Sequence, residues 1–269
     1  YTAPNDEAIR QDILLSKALG FNGARIHEKV FEERYLYWAD RLGYLIWGEF
    51  PNWGLDISDP SGLAVFLPQW AEALRRDYGS PALIGWCPFN ETWDYAGRRQ
   101  DERVLAEVYR YTKTFDPLRP CIDTSGLYHV VTDIFDVHDY EQEVGKFASH
   151  YRGDGPYLTY PDRQTYRGEP YMVSEYGGAR WEPKGGPGWG YGSDPRSEDE
   201  FAARYEALTH TLLQTDYCCG FCYTQLYDIE QERNGLYTYA RERKFSQAVY
   251  DRIRKANTET AAIEKRLRR

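Results

Sequence analysis

The stretch that decides the fold is Ala82-Leu-Ile-Gly-Trp-Cys-Pro-Phe-Asn-Glu-Thr-Trp-Asp94, ALIGWCPFNETWD. It is a short apolar run that stops on Asn90 and Glu91, with an aromatic, Trp93, directly behind. An apolar run of four to eight residues bounded by turn residues suits a buried parallel strand. In parallel α/β proteins ligands bind at the C-terminal ends of the strands, so Glu91 at the tip is the first candidate for chemistry.

The same pattern repeats on both sides. NDEAIRQDILLSKAL (5–19) opens on capping-type Asn5 and Asp6, carries Ile9, Ile13, Leu14 and Ala18 at helical spacing, and stops at Gly20. FNGARIH (21–27) then reads as a strand, FEERYLYWADRL (31–42) as an amphipathic helix ended by Gly43, and YLIWGEF (44–50) as the next strand. A Pro/Gly/Asp-rich loop leads to a helix near 62–77 and the opening strand at 82–89. Beyond it, helix 99–114 precedes strands at CIDTSG (121–126) and DIFDVHDY (133–140). Residues 141–170 are irregular, with one weak helix. YMVSEYGG (171–178) is a strand, 179–196 a loop with eight glycines or prolines, 197–214 a helix, and GFCYTQLYD (220–228) the last strand. A final helix from about 244 turns charged and repetitive.

Seven strands alternating with helices predict a parallel α/β sheet with right-handed crossovers. Seven is one short of a TIM (β/α)8 barrel, and the chain opens on a helix. The expectation is one catalytic barrel domain over 1–269 lacking its first strand, with Tyr1 in place of Met suggesting a cut inside a longer protein. An open doubly wound sheet is the alternative, disfavoured because no Gly-rich phosphate fingerprint follows any strand.

Composition narrows the function. The chain has 269 residues, 42% of them hydrophobic, and a net charge of −9, which argues against nucleic acid or an anionic membrane surface as partner. No apolar run approaches the ~18 residues of a membrane span. The 24 Tyr and 8 Trp exceed ordinary usage and suit the apolar faces of sugars. Cys87, Cys121, Cys218, Cys219 and Cys222 lack a disulfide-framework spacing and read as reduced core thiols of a cytoplasmic protein. Cys219 and Cys222 form an isolated C-x-x-C with no second ligand pair, so a zinc or redox role there is disfavoured.

Glu91 ends the fourth strand of such a barrel and Glu175 the seventh. Two carboxyls flanking a glycosidic bond can divide its hydrolysis, one donating a proton to the leaving oxygen while the other attacks the anomeric carbon or activates water. Either Glu alone is equally readable as a strand-end ion pair; the matched positions favour chemistry.

FNGARIH, LIWGEFPNW, IGWCPFNETW, DVHDY, SEYGG and YDIEQERNGL, in this order, resemble the catalytic barrel of glycoside hydrolase family 2, which holds β-galactosidases, β-glucuronidases and β-mannosidases. The resemblance implies a retaining β-glycosidase in which Glu91 is the acid/base and Glu175, 84 residues on, the nucleophile. It implies Asn90 at the sugar 2-hydroxyl, Arg25 keeping the nucleophile ionised, and Tyr140 hydrogen-bonded to it. His27, Glu49, His138, Trp93 and Tyr223 are further substrate-binding candidates. Asp139 and Asp228 are readable as loop caps, Trp181 and Trp189 as stacking platforms or loop packing. The family's last-strand Trp is absent, leaving Tyr223 or Tyr227 in its place, and the Asn-x-Lys pair of glucuronate recognition is not evident, so a neutral, β-galactoside-like sugar is expected. No cofactor and no metal essential to chemistry is expected. The resemblance also implies β-sandwich domains upstream. An open barrel edge would favour association with those domains or with a second copy. The competing reading is a non-catalytic carbohydrate-binding fragment. Hydrolysis of another bond class is disfavoured by the absence of G-x-S-x-G and H-E-x-x-H.

Overall fold

The computed structural model describes residues 3–153 and 155–267, the last by its backbone alone. Tyr1, on which the expectation of an internal cut rests, lies outside the described residues. Among the described residues six strands alternate with helices, and two helices close the chain: α1 (Asp6–Ala18), β1 (Gly23–Arg25), α2 (Glu33–Leu42), β2 (Leu45–Glu49), α3 (Leu63–Asp77), β3 (Leu83–Cys87), α4 (Glu102–Phe115), β4 (Phe135–Asp139), α5 (Val144–His150), β5 (Tyr171–Tyr176), α6 (Glu198–Gln214), β6 (Cys218–Tyr223), α7 (Gln247–Asn257) and α8 (Ala262–Leu267). Their ends follow the residues: Gly43 stops α2 in the left-handed conformation, and Asp101 and Ser197 cap α4 and α6 through their side chains. The strands form two three-stranded sheets, ordered β1-β2-β3 and β4-β5-β6. The fold is therefore α/β, as the alternation predicts. No helix among the described residues is long and apolar enough to cross a membrane.

One expected strand differs. Residues 121–126 form only isolated parallel bridges, Cys121 to Trp86 and Ser125 to Asn90. The Asp123 carboxylate explains it: it takes the amides of Thr124, Val130 and Val131, so a side chain satisfies the backbone where a ladder would otherwise run. The segment still flanks β3, since the Trp86 and Glu91 amides donate to Pro120 and Ser125 carbonyls and those of Ile122 and Ser125 donate to Trp86 and Phe89.

The chain divides into two compact units. The first comprises Tyr1–Leu14, Asn22–Val137 and Leu158–Pro170. Its core packs Ile13, Ile46, Leu74, Trp70, Trp86, Phe89 and Val108, all essentially inaccessible to solvent. β1 and β2 pair in parallel (Gly23 with Leu45, Arg25 with Trp47), and β2 pairs with β3 up to Glu49 opposite Cys87. Position 85 must be glycine, because a Cβ there would lie 2.0 Å from the Trp47 ring, which crosses the β3 backbone. Trp70 and Trp86 anchor their indole N–H groups on Thr112 and Asp116, so burial of the rings leaves no donor unmet.

The second unit comprises Leu15–Phe21, His138–Tyr157 and Tyr171–Arg269. Its core is aromatic: Tyr176 packs edge-on against Phe221 and Tyr223, and Tyr223 packs against Tyr205 of α6. β5 runs parallel to β6, with Tyr171 opposite Cys218 and Tyr176 opposite Tyr223. Residues 179–196 carry no helix or strand, as their glycines and prolines predict. The cysteine expectation needs correction: Cys87, Cys121 and Cys218 are buried thiols, but Cys219 is exposed and Cys222 half-buried. Along β6 alternate side chains face opposite sides, so not every cysteine of the run can reach the core.

Candidate active site

In the first unit the strand ends gather polar groups around Asn90. Arg25, the last residue of β1, donates from Nε to Glu49 Oε1 at 2.6 Å and from Nη2 to Asn90 Oδ1 at 3.0 Å. The Arg25 and Glu49 side chains are only 4% and 1% exposed, so this is a desolvated pair whose loss would strand a charge. Glu49 Oε2 also accepts from the Glu28 amide at 3.1 Å and lies 3.8 Å from His27 Nδ1. His27 is half exposed and meets the Trp53 ring edge-on at 5.6 Å.

Asn90 is held from both faces of its peptide. Its N–H donates to Asn52 Oδ1 at 2.6 Å, and its carbonyl accepts from Asn52 Nδ2 at 3.0 Å and Trp53 Nε1 at 3.2 Å. With its Oδ1 committed to Arg25, its buried amide nitrogen Nδ2 has no hydrogen-bond partner. A buried donor without an acceptor is uncommon, and here it stands ready for a ligand oxygen.

Glu91 follows in the left-handed region (φ 45), which breaks the extended backbone of the preceding strand. Trp93 is half exposed, and its indole N–H donates to Glu91 Oε2 at 3.3 Å. Thr92 is buried and bonded to Gln100 and Thr124, which pins the turn.

Glu28, Asn52 and Trp53 were missed as site residues. Glu28 Oε2 accepts the amides of Asn52 and Trp53, and burial raises its carboxyl to about 7. Asn52 and Trp53 follow Phe50-Pro51 directly behind the Glu49 strand, the same apolar-run-then-polar signal that marked Glu91.

In the second unit the organising group is Glu175, near the end of β5. Tyr140 donates its hydroxyl to Glu175 Oε2 and lies 3.3 Å from Thr224 Oγ1. His138 Nδ1 sits 3.2 Å from the same Glu175 oxygen, with both side chains largely buried. Burial first, and the Glu175 charge next, push the Tyr140 phenol well above its ordinary range, so it keeps its proton and remains a donor. The Tyr140 ring stacks on Tyr191, centroids 3.5 Å apart. Gly177 and Gly178 both adopt positive φ, and a Cβ at Gly177 would meet the Tyr223 ring at 2.4 Å. The two glycines after Glu175 are thus a steric requirement.

Other candidates take structural places. Tyr223 is buried against Tyr176 and Tyr205, and its neighbour Thr224 meets Tyr140 instead. Strand alternation was the signal that could have singled out Thr224. Asp139 accepts from Tyr151 and bonds His150. Asp228 forms a fully buried pair with Lys244 at 2.8 Å. Trp181 stacks on Phe245 and donates to the Lys244 carbonyl, so it is packing, while Trp189 remains half exposed beside Tyr191.

No protein-family model matches the chain. A stretch of 140 residues, 49% of the chain, is 29% identical to a β-galactosidase of Yersinia pestis and covers 13% of it. A stretch of 140 residues is likewise 29% identical to the β-galactosidase of Yersinia pseudotuberculosis, of which it covers 12%. Among solved structures, the β-glucuronidase of Parabacteroides merdae matches 95% of this chain with a TM-score of 0.75 at 15% identity, over 34% of its own length. Bacteroides uniformis β-glucuronidase 2 matches 95% with a TM-score of 0.72 at 22% identity, over 33% of its length. A family 2 β-galacturonidase of Eisenbergiella tayi matches 95% with a TM-score of 0.70 at 18% identity, over 48%. At these identities the structural likeness is one of fold. The chain spans about an eighth of the curated relatives and a third to a half of the solved ones. Half of the chain is thus similar in sequence to β-galactosidases, and its fold is similar to that of family 2 β-glycosidases, in each case over part of the length of the protein matched.

Proposed function

We propose that the chain hydrolyses the terminal β-linked sugar of a glycoside, of β-galactoside type, with retention of configuration. Glu175 attacks the anomeric carbon and forms a covalent glycosyl-enzyme; Glu91 protonates the leaving oxygen and then, as a carboxylate, activates the water that releases the sugar. Asn90 Nδ2 takes a sugar hydroxyl, and the exposed indoles of Trp93 and Trp53 offer apolar faces to the rings. A (β/α)8 barrel forming one catalytic domain, and a cytoplasmic setting suited to five free thiols, belong to the same reading.

The observation that carries it is the treatment of Glu175. A carboxylate that must attack along one direction needs its unreactive oxygen held, and Tyr140 and His138 both address Oε2.

The intact protein is expected to cleave nitrophenyl β-glycosides, with Glu175→Ala inactive and restored by azide as a glycosyl azide of inverted configuration. Azide rescue in Glu91→Ala with that inverted product would reverse the two roles. A carboxyl separation near 8 Å in a crystal structure, against the roughly 5–5.5 Å of retaining enzymes, would refute the mechanism.

A further inference from the structure

The turn that carries Glu91 is held by a neighbouring segment, and that segment is built around a buried ring the reaction does not touch. The Ser125 amide donates to the Phe89 carbonyl at 2.9 Å and the Glu91 amide to the Ser125 carbonyl at 3.0 Å. The Thr92 and Thr124 hydroxyls lie 3.0 Å apart. Glu91 has φ 45, a conformation that a non-glycine residue keeps only where its surroundings impose it, and the Ser125 carbonyl on its amide supplies that constraint.

Two carboxylates fix residues 124–126 in turn. Asp123 Oδ1 accepts from the Thr124 amide at 2.9 Å, and its Oδ2 from the Val130 and Val131 amides at 2.7 and 3.1 Å. Asp136 Oδ2 accepts from the Ser125 hydroxyl at 2.6 Å, and its Oδ1 from the Gly126 amide at 3.4 Å. Both carboxylates are inaccessible to solvent, where an uncompensated charge is strongly unfavourable. His129 compensates both: its Nδ1 lies 2.7 Å from Asp123 Oδ1 and its Nε2 3.1 Å from Asp136 Oδ1. Nε2 also faces the Asp136 carbonyl at 2.9 Å, against a single donor, the Asp136 amide at 3.2 Å. Acceptors outnumber donors there, so Nε2 carries a proton as Nδ1 does, and the ring is a cation. Burial opposes that charge, but Asp123 and Asp136 outweigh it and raise the imidazole to about 10. The ring is itself fixed, 4.6 Å from the Phe135 ring, with the His129 amide on Gln164 Oε1 at 3.0 Å.

We propose that His129 is a positioning residue for Glu91: its imidazolium, gripped by Asp123 and Asp136, fixes the segment whose backbone sets the Glu91 turn. The role rests on Glu91 being the acid/base. His129 acts on it through Asp136 and Ser125, without touching the sugar.

The test uses the full-length protein and two aryl β-glycosides of one sugar. A dinitrophenyl group leaves as its anion without a proton, whereas a methoxyphenyl group needs one from the acid. Glu91→Ala is the reference and should lose the methoxyphenyl substrate selectively. In His129→Gln, kcat/KM for the methoxyphenyl glycoside is expected to fall roughly a hundredfold further than for the dinitrophenyl glycoside, the cost of a displaced catalytic group. The kcat for the dinitrophenyl glycoside should fall as well, because release of the glycosyl-enzyme needs Glu91 as base, and azide should restore it as a glycosyl azide of retained configuration. His129→Gln leaves two buried carboxylates without their cation and puts folding at risk. Ser125→Ala cuts the link from Asp136 but keeps the ion cluster, and should show the same selective loss at about tenfold. A merely structural histidine would lower both substrates in proportion to the protein that folds. Equal losses without azide rescue in His129→Gln, or in Ser125→Ala where the first variant does not fold, would overturn the positioning role while Glu91→Ala keeps its selectivity. A wild type that cleaves neither glycoside, or a Glu91→Ala without selectivity, would overturn the catalytic assignment and this role with it.

Discussion

Glu28→Gln is expected to stabilise the protein above neutral pH. Glu28 holds a left-handed backbone (φ 50) behind β1; its Oε2 serves two amides, while its Oε1 is buried without a hydrogen-bond partner. Burial lifts its carboxyl from 4.5 to about 7, against the pull of the Trp53 and Asn52 amides and His27 and with a small push from Glu49. The folded protein therefore keeps this proton to higher pH than the unfolded chain does. As pH climbs from 4.5 to about 7 the unfolded chain ionises first, stability falls, and above about 7 the loss is complete. A rise of that size corresponds to at most roughly 3.4 kcal/mol. Because the group is only partly buried, solvent screening reduces this to the order of 1–2 kcal/mol. Glutamine keeps an acceptor for the two amides and cannot ionise. In urea unfolding of the chain at pH 4.5, 6 and 8, the variant should match the wild type at the lowest pH and gain about 1–2 kcal/mol at the highest. A variant no more stable than wild type at pH 8, or a gap that fails to widen with pH, would refute the reasoning.

Two other perturbations concern buried ion pairs. Arg25→Met removes the partner of a carboxylate that is 1% exposed, and should cost roughly 3–5 kcal/mol in urea unfolding, part of which Glu49→Gln in the same background restores. Lys244→Met leaves the inaccessible Asp228 carboxylate with only the Gly235 amide and Arg233, 3.8 Å away, as partners; the expected cost is about 3 kcal/mol, with Asp228→Asn/Lys244→Met recovering most of it. A loss below about 1 kcal/mol in either single variant would mean that solvent or a neighbour replaces the missing partner.

The strand-end positions were legible because apolar runs ending on Arg25, Glu49, Asn90 and Glu175 carry their own boundaries. The Tyr140 contact to Glu175 follows the family resemblance. What escaped was set by backbone geometry and by side chains acting on distant amides. Residues 121–126 have the composition of a strand, yet Asp123 satisfies neighbouring amides and leaves only bridges. Tyr223 is a candidate in place of a last-strand Trp, but alternation along β6 turns its ring toward α6, and Thr224 meets Tyr140 instead. Glu28 gave no periodic signal, because its importance comes from a positive φ and an unmet oxygen.

The paired contacts between Asn52 and Asn90 have one more consequence. A carboxamide has the same donor and acceptor arrangement as a peptide group, and Asn52 uses both against the Asn90 backbone as a neighbouring strand would. Sheet order thus extends one step past the end of β3 through a side chain imitating main chain. An aspartate at 52 would set an acceptor against the Asn90 carbonyl, so hydrolysis of a single amide would unzip the register of the residue beside the proposed acid/base.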